Sequence, residues 1–528
     1  MNQFILITIV ILTSRVLSAS PIIIDNELSK LEIGSHLEYL EDKNKIFSVR
    51  DITSELGSKK LKWKKTDNKE LGFGFTKSVY WVRFTVKNLA DNNIEWYLEQ
   101  QYPLIDYLNL CILDKNNNIK TIKTGDHFIF SQRPIEYHTF VFPQKTGANN
   151  TNTYFLRYET SSSLHISLVI WSSSFFTKHK ENKILLLWMF YIIFLLMFIY
   201  HLIIFLYSRD RSYFFYILYI ASFGLLMMSL NGTAFQYLWP GLIWWPNICI
   251  PVLIGLTTCS VIQFSRYFIR TPIVIPKGDF ILKILMITAL VILFLTLISN
   301  SYFFGIISTT ALAGISAAFG FFLVLYICYN EKYRSREAIF FLVAFSLFLF
   351  GIILYVLKTF SLLPETFFTS YAIQIGATME VVLLSLALAD KINIMRKKLQ
   401  VTEKKYRYIV ESSNDIIFTL DDNLNFLSVN KAMKKILGFS TEEVINKNFL
   451  DFIIQGTEKG MHDISRKLVE KYTTDLINSK KSVNFRMNFR TRHSHEPKEL
   501  SVKLEYAQSE KKKDILGNAS IITDDIIL

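Results

Sequence analysis

Cysteine is scarce in this chain. Its 528 residues hold four, Cys111, Cys249, Cys259 and Cys328, none of them in a C-x-x-C pair. The last three lie inside apolar runs. That usage argues against a disulfide framework and against a zinc site, so no metal ligands are expected. Catalytic signatures are missing too. There is no P-loop, no G-x-S-x-G, no H-E-x-x-H and no kinase signature set. No catalytic residue is expected, and the chain reads as a non-enzyme. The formal charge is +13, yet no nucleic-acid motif accompanies it. The basic residues cluster beside apolar spans, where membrane topology and anionic lipid account for them. Nucleic acid is therefore not an expected partner.

What the chain has is apolar sequence, at 51% of residues, which places it in a membrane class of more than one domain. "MNQFILITIVILTSRVLSAS" carries an apolar core too short to span a bilayer, followed by small residues. It reads as a signal peptide over 1–19, and export of the next segment is expected. Residues 20–180 alternate short β-branched and aromatic runs with turn signals such as "DKNNN" and "KTGANN". That pattern predicts an all-β antiparallel sandwich or jelly roll. Long apolar runs then predict seven helices, near 184–206, 213–231, 247–265, 280–298, 303–329, 338–357 and 371–389. In the fourth, Lys283 must snorkel. These helices make up a domain over 181–390.

The connectors set the orientation. The first, third and fifth carry Arg209 and Arg211; Arg266, Arg270 and Lys277; and Lys332, Arg334 and Arg336. The second and fourth carry no Lys or Arg, and the sixth has only Lys358. Positive charge inside puts the N-terminal domain outside and the C-terminus in the cytoplasm, as a multi-pass protein of the plasma membrane. A charged segment, 391–408, follows the seventh span without a helix breaker. Ile392, Leu399 and Tyr406 are spaced by seven there, with Met395 and Ile409 near the complementary seam. A short coiled coil and a solvated linker helix both fit. Residues 409–528 read as a soluble α+β unit.

Four residues stand out as candidates. Glu380 is a carboxylate at midspan, and on insertion scales that costs roughly 2.5–3.5 kcal/mol, so it should face the bundle interior. No other span offers a midspan Lys or Arg, which leaves hydroxyls such as Thr257, Thr258 or Ser229 as partners. Glu380 is read as either a packing device or a switch between two bundle states. Trp81, Arg83 and Arg133 are the candidate ligand-binding residues of the exported domain. Core and loop-holding roles fit them as well, and Trp96, Tyr97 and Tyr102 share the aromatic character. In the fifth span, Ala313, Gly314, Ala317, Ala318 and Gly320 predict close helix packing or a dimer face. His462, His493 and His495 are the histidines of the last unit. Haem ligation by His462 stays open, and the paired histidines of "RHSHE" read as an exposed edge. No cysteine lies between 401 and 528, so a cysteinyl-flavin adduct is excluded.

Three stretches of the N-terminal domain carry a family resemblance: "LGFGFTKSVYWVRFTVKN", "WYLEQQYPLIDYLNLCILD" and "TGDHFIFSQRPIEYHTFVFP". "QIGATMEVVLLSLALADKIN" adds to it at the last helix. Together they resemble the bacterial seven-transmembrane receptors with diverse intracellular signalling modules, with their type 2 extracellular domain. "YRYIVESSNDIIFTLDDNLNFLSVNKAMKKILGFSTEEVINKNFLDFI" is similar to a PAS domain. The resemblance implies a jelly-roll-like exported domain that binds a carbohydrate-like or other small ligand, and a helical bundle that relays the signal inward. It implies no particular PAS cofactor, haem or other. No "GGDEF"-like motif or phospho-acceptor helix is present, so a homodimer and a separate cytoplasmic effector are the expected protein partners. The lipid bilayer is the third partner. A transporter, or the sensor half of a split or truncated histidine kinase or nucleotide cyclase, is the alternative.

Overall fold

The computed structural model describes residues 20–53, 61–113, 119–299, 301–359, 362–364, 366–454, 471, 482–492, 496–508 and 513–521. The expected signal peptide, His462, His493 and His495 lie outside these residues. The chain forms two units, divided between Ala389 and Asp390.

The first unit begins with β-structure. A seven-stranded sheet is built around the Val79–Asn88 strand, which pairs with Glu38–Asp42 on one side and Thr151–Glu159 on the other. Tyr107–Leu113 and Ile119–Thr124 continue it. Most of Val79–Asn88 is buried, as expected of a central strand covered on both faces. A four-stranded sheet contains Phe140–Thr146, Ile94–Gln100, Leu168–Ser172 and Lys30–Glu32 in that order. One hydrophobic core is shared by the two sheets. Val82, Phe84, Leu110 and Leu156 come from the first, and Leu98, Phe142 and Ile170 from the second.

Seven helices among the described residues are long and apolar enough to cross a membrane. They are α1 (Ser173–Ser208), α2 (Arg211–Leu230), α3 (Pro246–Ile269), α4 (Pro276–Ser299), α5 (Tyr302–Tyr329), α6 (Arg336–Thr359) and α7 (Ala372–Ser412). Each covers one of the seven apolar runs. α1 starts well before its run, because "SSFFTKHKENK" continues the helix towards the β-domain. In α2, α3 and α7 at least half of the apolar window is buried in protein, against 17–22% in the other four. These three therefore make the centre of the bundle, and the others turn apolar side chains to lipid. Asp210 caps α2 by accepting from the Ser212 N–H at 2.7 Å. Arg209 and Arg270 end α1 and α3 in the left-handed region, at φ 50° and 61°. Lys283 has company. It lies 3.3 Å from Asp279, which also accepts from Arg266 at 2.7 Å and from Thr271 at 2.7 Å.

The second unit contains a five-stranded antiparallel sheet in the order Phe426–Val429, Ile416–Leu420, Lys513–Ile521, Lys498–Gln508, Val483–Phe489. The first two strands in chain order pair as a hairpin, and three later strands complete the sheet. Short helices Ala432–Leu437 and Thr441–Val444 cover a core that includes Phe418, Phe426, Phe449 and Leu500. Buried Asn430 ties the start of this fold together. It donates to the carbonyls of Val410 at 2.8 Å and Asp415 at 3.0 Å, and accepts from the Ile417 N–H at 3.1 Å.

Candidate functional site

Glu380 is buried inside the bundle at 1% exposure. Its partner is a phenol. The Tyr219 hydroxyl donates to Glu380 Oε2 at 2.7 Å. Thr257, Thr258 and Ser229 bond elsewhere, to the Ser222 hydroxyl and to the carbonyls of Ile254 and Leu225. Tyr219 belongs to a row. Tyr213, Tyr216 and Tyr219 are three apart on α2 and so share one face. Tyr213 donates to the Leu388 carbonyl at 3.0 Å and Tyr216 to the Val381 carbonyl at 2.7 Å. Three hydroxyls of α2 thus clasp α7 over about two turns. His201 of α1 backs the row, 4.7 Å from the Tyr216 ring, and its Nδ1 donates to the Met197 carbonyl. The spacing "SYFFYILYI" was the available signal for this row. What it lacked was any indication that the partner lay on the seventh span.

Beside Tyr219 the bundle opens an apolar cavity of about 430 Å³, lined in part by Ala313, Gly314, Ala317 and Gly320 of α5. Added side-chain carbon at Gly314 or Gly320 would meet nothing within 4 Å. The small residues of the fifth span open this space rather than drawing two helices together.

Arg133 sits where the β-domain meets the bundle. It is 6% exposed. Its Nη1 donates to the carbonyls of Tyr137, His138 and Thr139 at 2.9, 3.0 and 3.2 Å. The guanidinium lies 4.7 Å from the Phe130 ring, 4.3 Å from Phe140 and 5.6 Å from Phe235, the last in the segment after α2. The Phe130 N–H donates to the Pro240 carbonyl at 3.0 Å. Burial pulls the guanidinium pKa down to about 9, and the Asp126 charge opposes this. It remains cationic at neutral pH.

The other two candidates lie apart from Arg133. Trp81, at 1% exposure, belongs to a core cluster with Leu40, Ile52 and Phe155. The register sets Arg83 opposite Glu38, and its Nε donates to Glu38 Oε2 at 2.5 Å while the guanidinium covers Trp63 at 4.4 Å. A cleft of about 550 Å³ opens elsewhere in the β-domain, between the two sheets. Trp96, Tyr97, Lys120, Gln144 and Lys145 are among its walls. Gln144 is 8% exposed and its Nε2 has no partner, so an unused donor lines this cleft.

His138, also at this junction, predicts acid sensitivity. Burial, then the charges of Lys183 and Arg133, hold its pKa well below 6.5. The unfolded chain therefore binds the proton more readily. Stability from this group is full above pH 6.5 and falls as the pH drops below it. The expected slope is about 1.4 kcal/mol per pH unit for one such histidine. Burial also lowers His165, which adds to it. Melting curves of the full chain between about pH 7.5 and about pH 5.5 should show the loss, and His138→Gln should reduce it.

Comparison with known proteins matches this geometry to families. The model described as 7TM diverse intracellular signalling matches residues 183–391. The model described as 7TMR-DISM extracellular 2 matches 34–172, and the PAS fold matches 404–521. No curated protein matches. Solved PAS domains do. The PAS domain of an HTR-like protein from Haloarcula marismortui is 19% identical, covering 25% of this chain and 99% of its own, with a TM-score of 0.21. That of nitrogen regulation protein NR(II) from Vibrio parahaemolyticus is 15% identical, covering 22% and 96%, with a TM-score of 0.18.

The architecture is that of a membrane sensor, in which an extracytoplasmic module is joined through transmembrane helices to a PAS domain. Its three matched modules stand in the order found in the seven-transmembrane receptors with diverse intracellular signalling modules, which the chain resembles. It is a multi-pass inner-membrane protein with its N-terminus outside and its C-terminus inside. The matched modules are signalling modules rather than catalytic domains.

Proposed function

We propose that the chain binds a small, carbohydrate-like ligand outside the membrane and relays the event through the bundle to its PAS domain. In this reading residues 20–180 are a jelly-roll-like sandwich sensor, 181–390 the relay, 391–408 a signalling helix and 409–528 the PAS domain. The core shared by two sheets supports the sandwich. The cleft with the unused Gln144 donor supports ligand binding there, while Trp81 and Arg83 serve the sheet and Arg133 braces it on the bundle.

One observation carries the relay. α7 is a single helix from Ala372 to Ser412. It holds Glu380 and receives the tyrosine row at one end, and runs without a break through the basic segment at the other. A ligand that favours one bundle state by a few kcal/mol would shift the population carried by that helix. Met395, Leu399, Tyr406 and Ile409 are exposed along it at 44–71%, which supports pairing with a second copy. A separate effector would read the PAS domain. A transporter would call for paired midspan charges, whereas Glu380 is met by a phenol.

The test uses the full chain in nanodiscs and a panel of neutral and acidic mono- and disaccharides. A binder at about a hundred times its Kd should stabilise by about 2.7 kcal/mol, and Gln144→Leu should abolish the shift. The same sugar should change hydrogen exchange across residues 413–452, and Arg396→Pro should keep binding but lose that change. Binding without any exchange response in the unaltered chain would sink the relay.

A further inference from the structure

Three side chains near the base of the β-domain converge without an assigned role. Asp106 immediately precedes the Tyr107–Leu113 strand. Asp126 and His127 follow the antiparallel Ile119–Thr124 strand, in register with it. Gly125 joins them at φ 149°, and a Cβ there would lie 1.9 Å from the Asp106 carbonyl oxygen. Only glycine lets the turn press this closely. The Asp126 N–H donates to the Ile105 carbonyl at 2.9 Å, fixing the turn. As a result one ligand atom from each of Asp106, Asp126 and His127 lies within 4.8 Å of the other two.

The surroundings orient these groups as a metal site would. Asp106 accepts from the Thr160 hydroxyl at 3.1 Å and from the Ser161 N–H at 2.8 Å. His127 Nδ1 lies 3.2 Å from the Tyr107 hydroxyl, while Nε2 faces Asp106 Oδ2 at 3.6 Å. Such outer partners fix the ring and leave the other nitrogen for an ion. The independent sign is Asp126. It is 8% exposed, and its Oδ1 has no hydrogen-bond partner. Arg133 attracts it, but the Nη1 of that residue is spent on three carbonyls. Neither Arg133 nor any other described group donates to Asp126 Oδ1.

We propose that Asp106, Asp126 and His127 bind a divalent metal ion of the zinc or manganese kind. Two carboxylates balance its charge, and a mixed oxygen and imidazole set suits these metals. Three protein ligands leave a coordination position for water or a small ligand.

The probe is Zn²⁺ alone, added to the chelator-stripped full chain in detergent, with calorimetry and metal analysis as readouts. One equivalent should bind saturably, and His127→Gln and Asp126→Asn should each weaken it at least tenfold. His127 is partly exposed, so His127→Gln should leave the metal-free melting point unmoved and report on the ion alone. No saturable Zn²⁺ or Mn²⁺ binding would overturn the site. Affinity unchanged from the unaltered chain in both variants would also overturn it and leave His127 as an ion-pair partner of Asp106. Binding is read directly, so neither result depends on the receptor reading.

Discussion

Arg133→Met should lower the melting temperature of the solubilised chain by roughly 10 °C, because it removes about 3–5 kcal/mol from the first unit. Methionine fills much of the space and keeps contact with the rings of Phe130, Phe140 and Phe235. It cannot donate. Three buried carbonyls, of Tyr137, His138 and Thr139, would lose the donor they share, and Asp126 would lose an attracting charge. Arg133→Lys keeps the charge on a shorter reach with a different donor geometry, and should fall between the two. Differential scanning fluorimetry on the three proteins decides the matter. Equal melting of Met and Lys variants would mean that packing on the rings, not donation, makes the brace.

The second large effect is expected where α6 meets α7. A Cβ on Gly351 would lie 2.4 Å from the Ala372 carbonyl oxygen and 3.4 Å from the Gly376 Cα. The obstacle is backbone, which cannot swing aside as a side-chain tip can. Gly351→Val should force the helices apart at a cost of about 2–3 kcal/mol, at the upper end for overpacking. The start of α7 would move, so hydrogen exchange near Glu380 should rise with the drop in melting temperature. Gly314→Ala is the control. Its new methyl enters open space, and the exchange of a helical glycine for alanine should be neutral or stabilising by up to about 1 kcal/mol. Equal losses in the two variants would show that glycine in these spans matters for some reason other than close approach.

The two glycines show where the sequence could be read and where it could not. Each span was visible because twenty apolar residues have few other uses, and the basic connectors added orientation. The last unit was visible as a soluble α+β stretch; its strand order was not. Helix contacts were not. "AGISAAFG" has the composition of a tight interface but lines a cavity, while the tight crossing falls on Gly351 and Gly376, which no local pattern marks. Glu380 was found by its cost in hydrocarbon; its partner, 161 residues earlier, was not. Arg133 could be read as a ligand contact or as a loop holder, because a lone arginine in an aromatic stretch offers no clue to its burial. The three carbonyls it holds belong to its own loop, and only the fold brings Phe235 to it. Asp106 and His127 were equally silent, being separated by a strand pair whose register sets their distance.

The apolar space beside Tyr219 bears on the strength of its bond to Glu380. The ring lines that space, and the hydroxyl meets the carboxyl at 2.7 Å in a buried setting. Without water to compete, the attraction between phenol and carboxyl is felt more strongly than it would be at a surface.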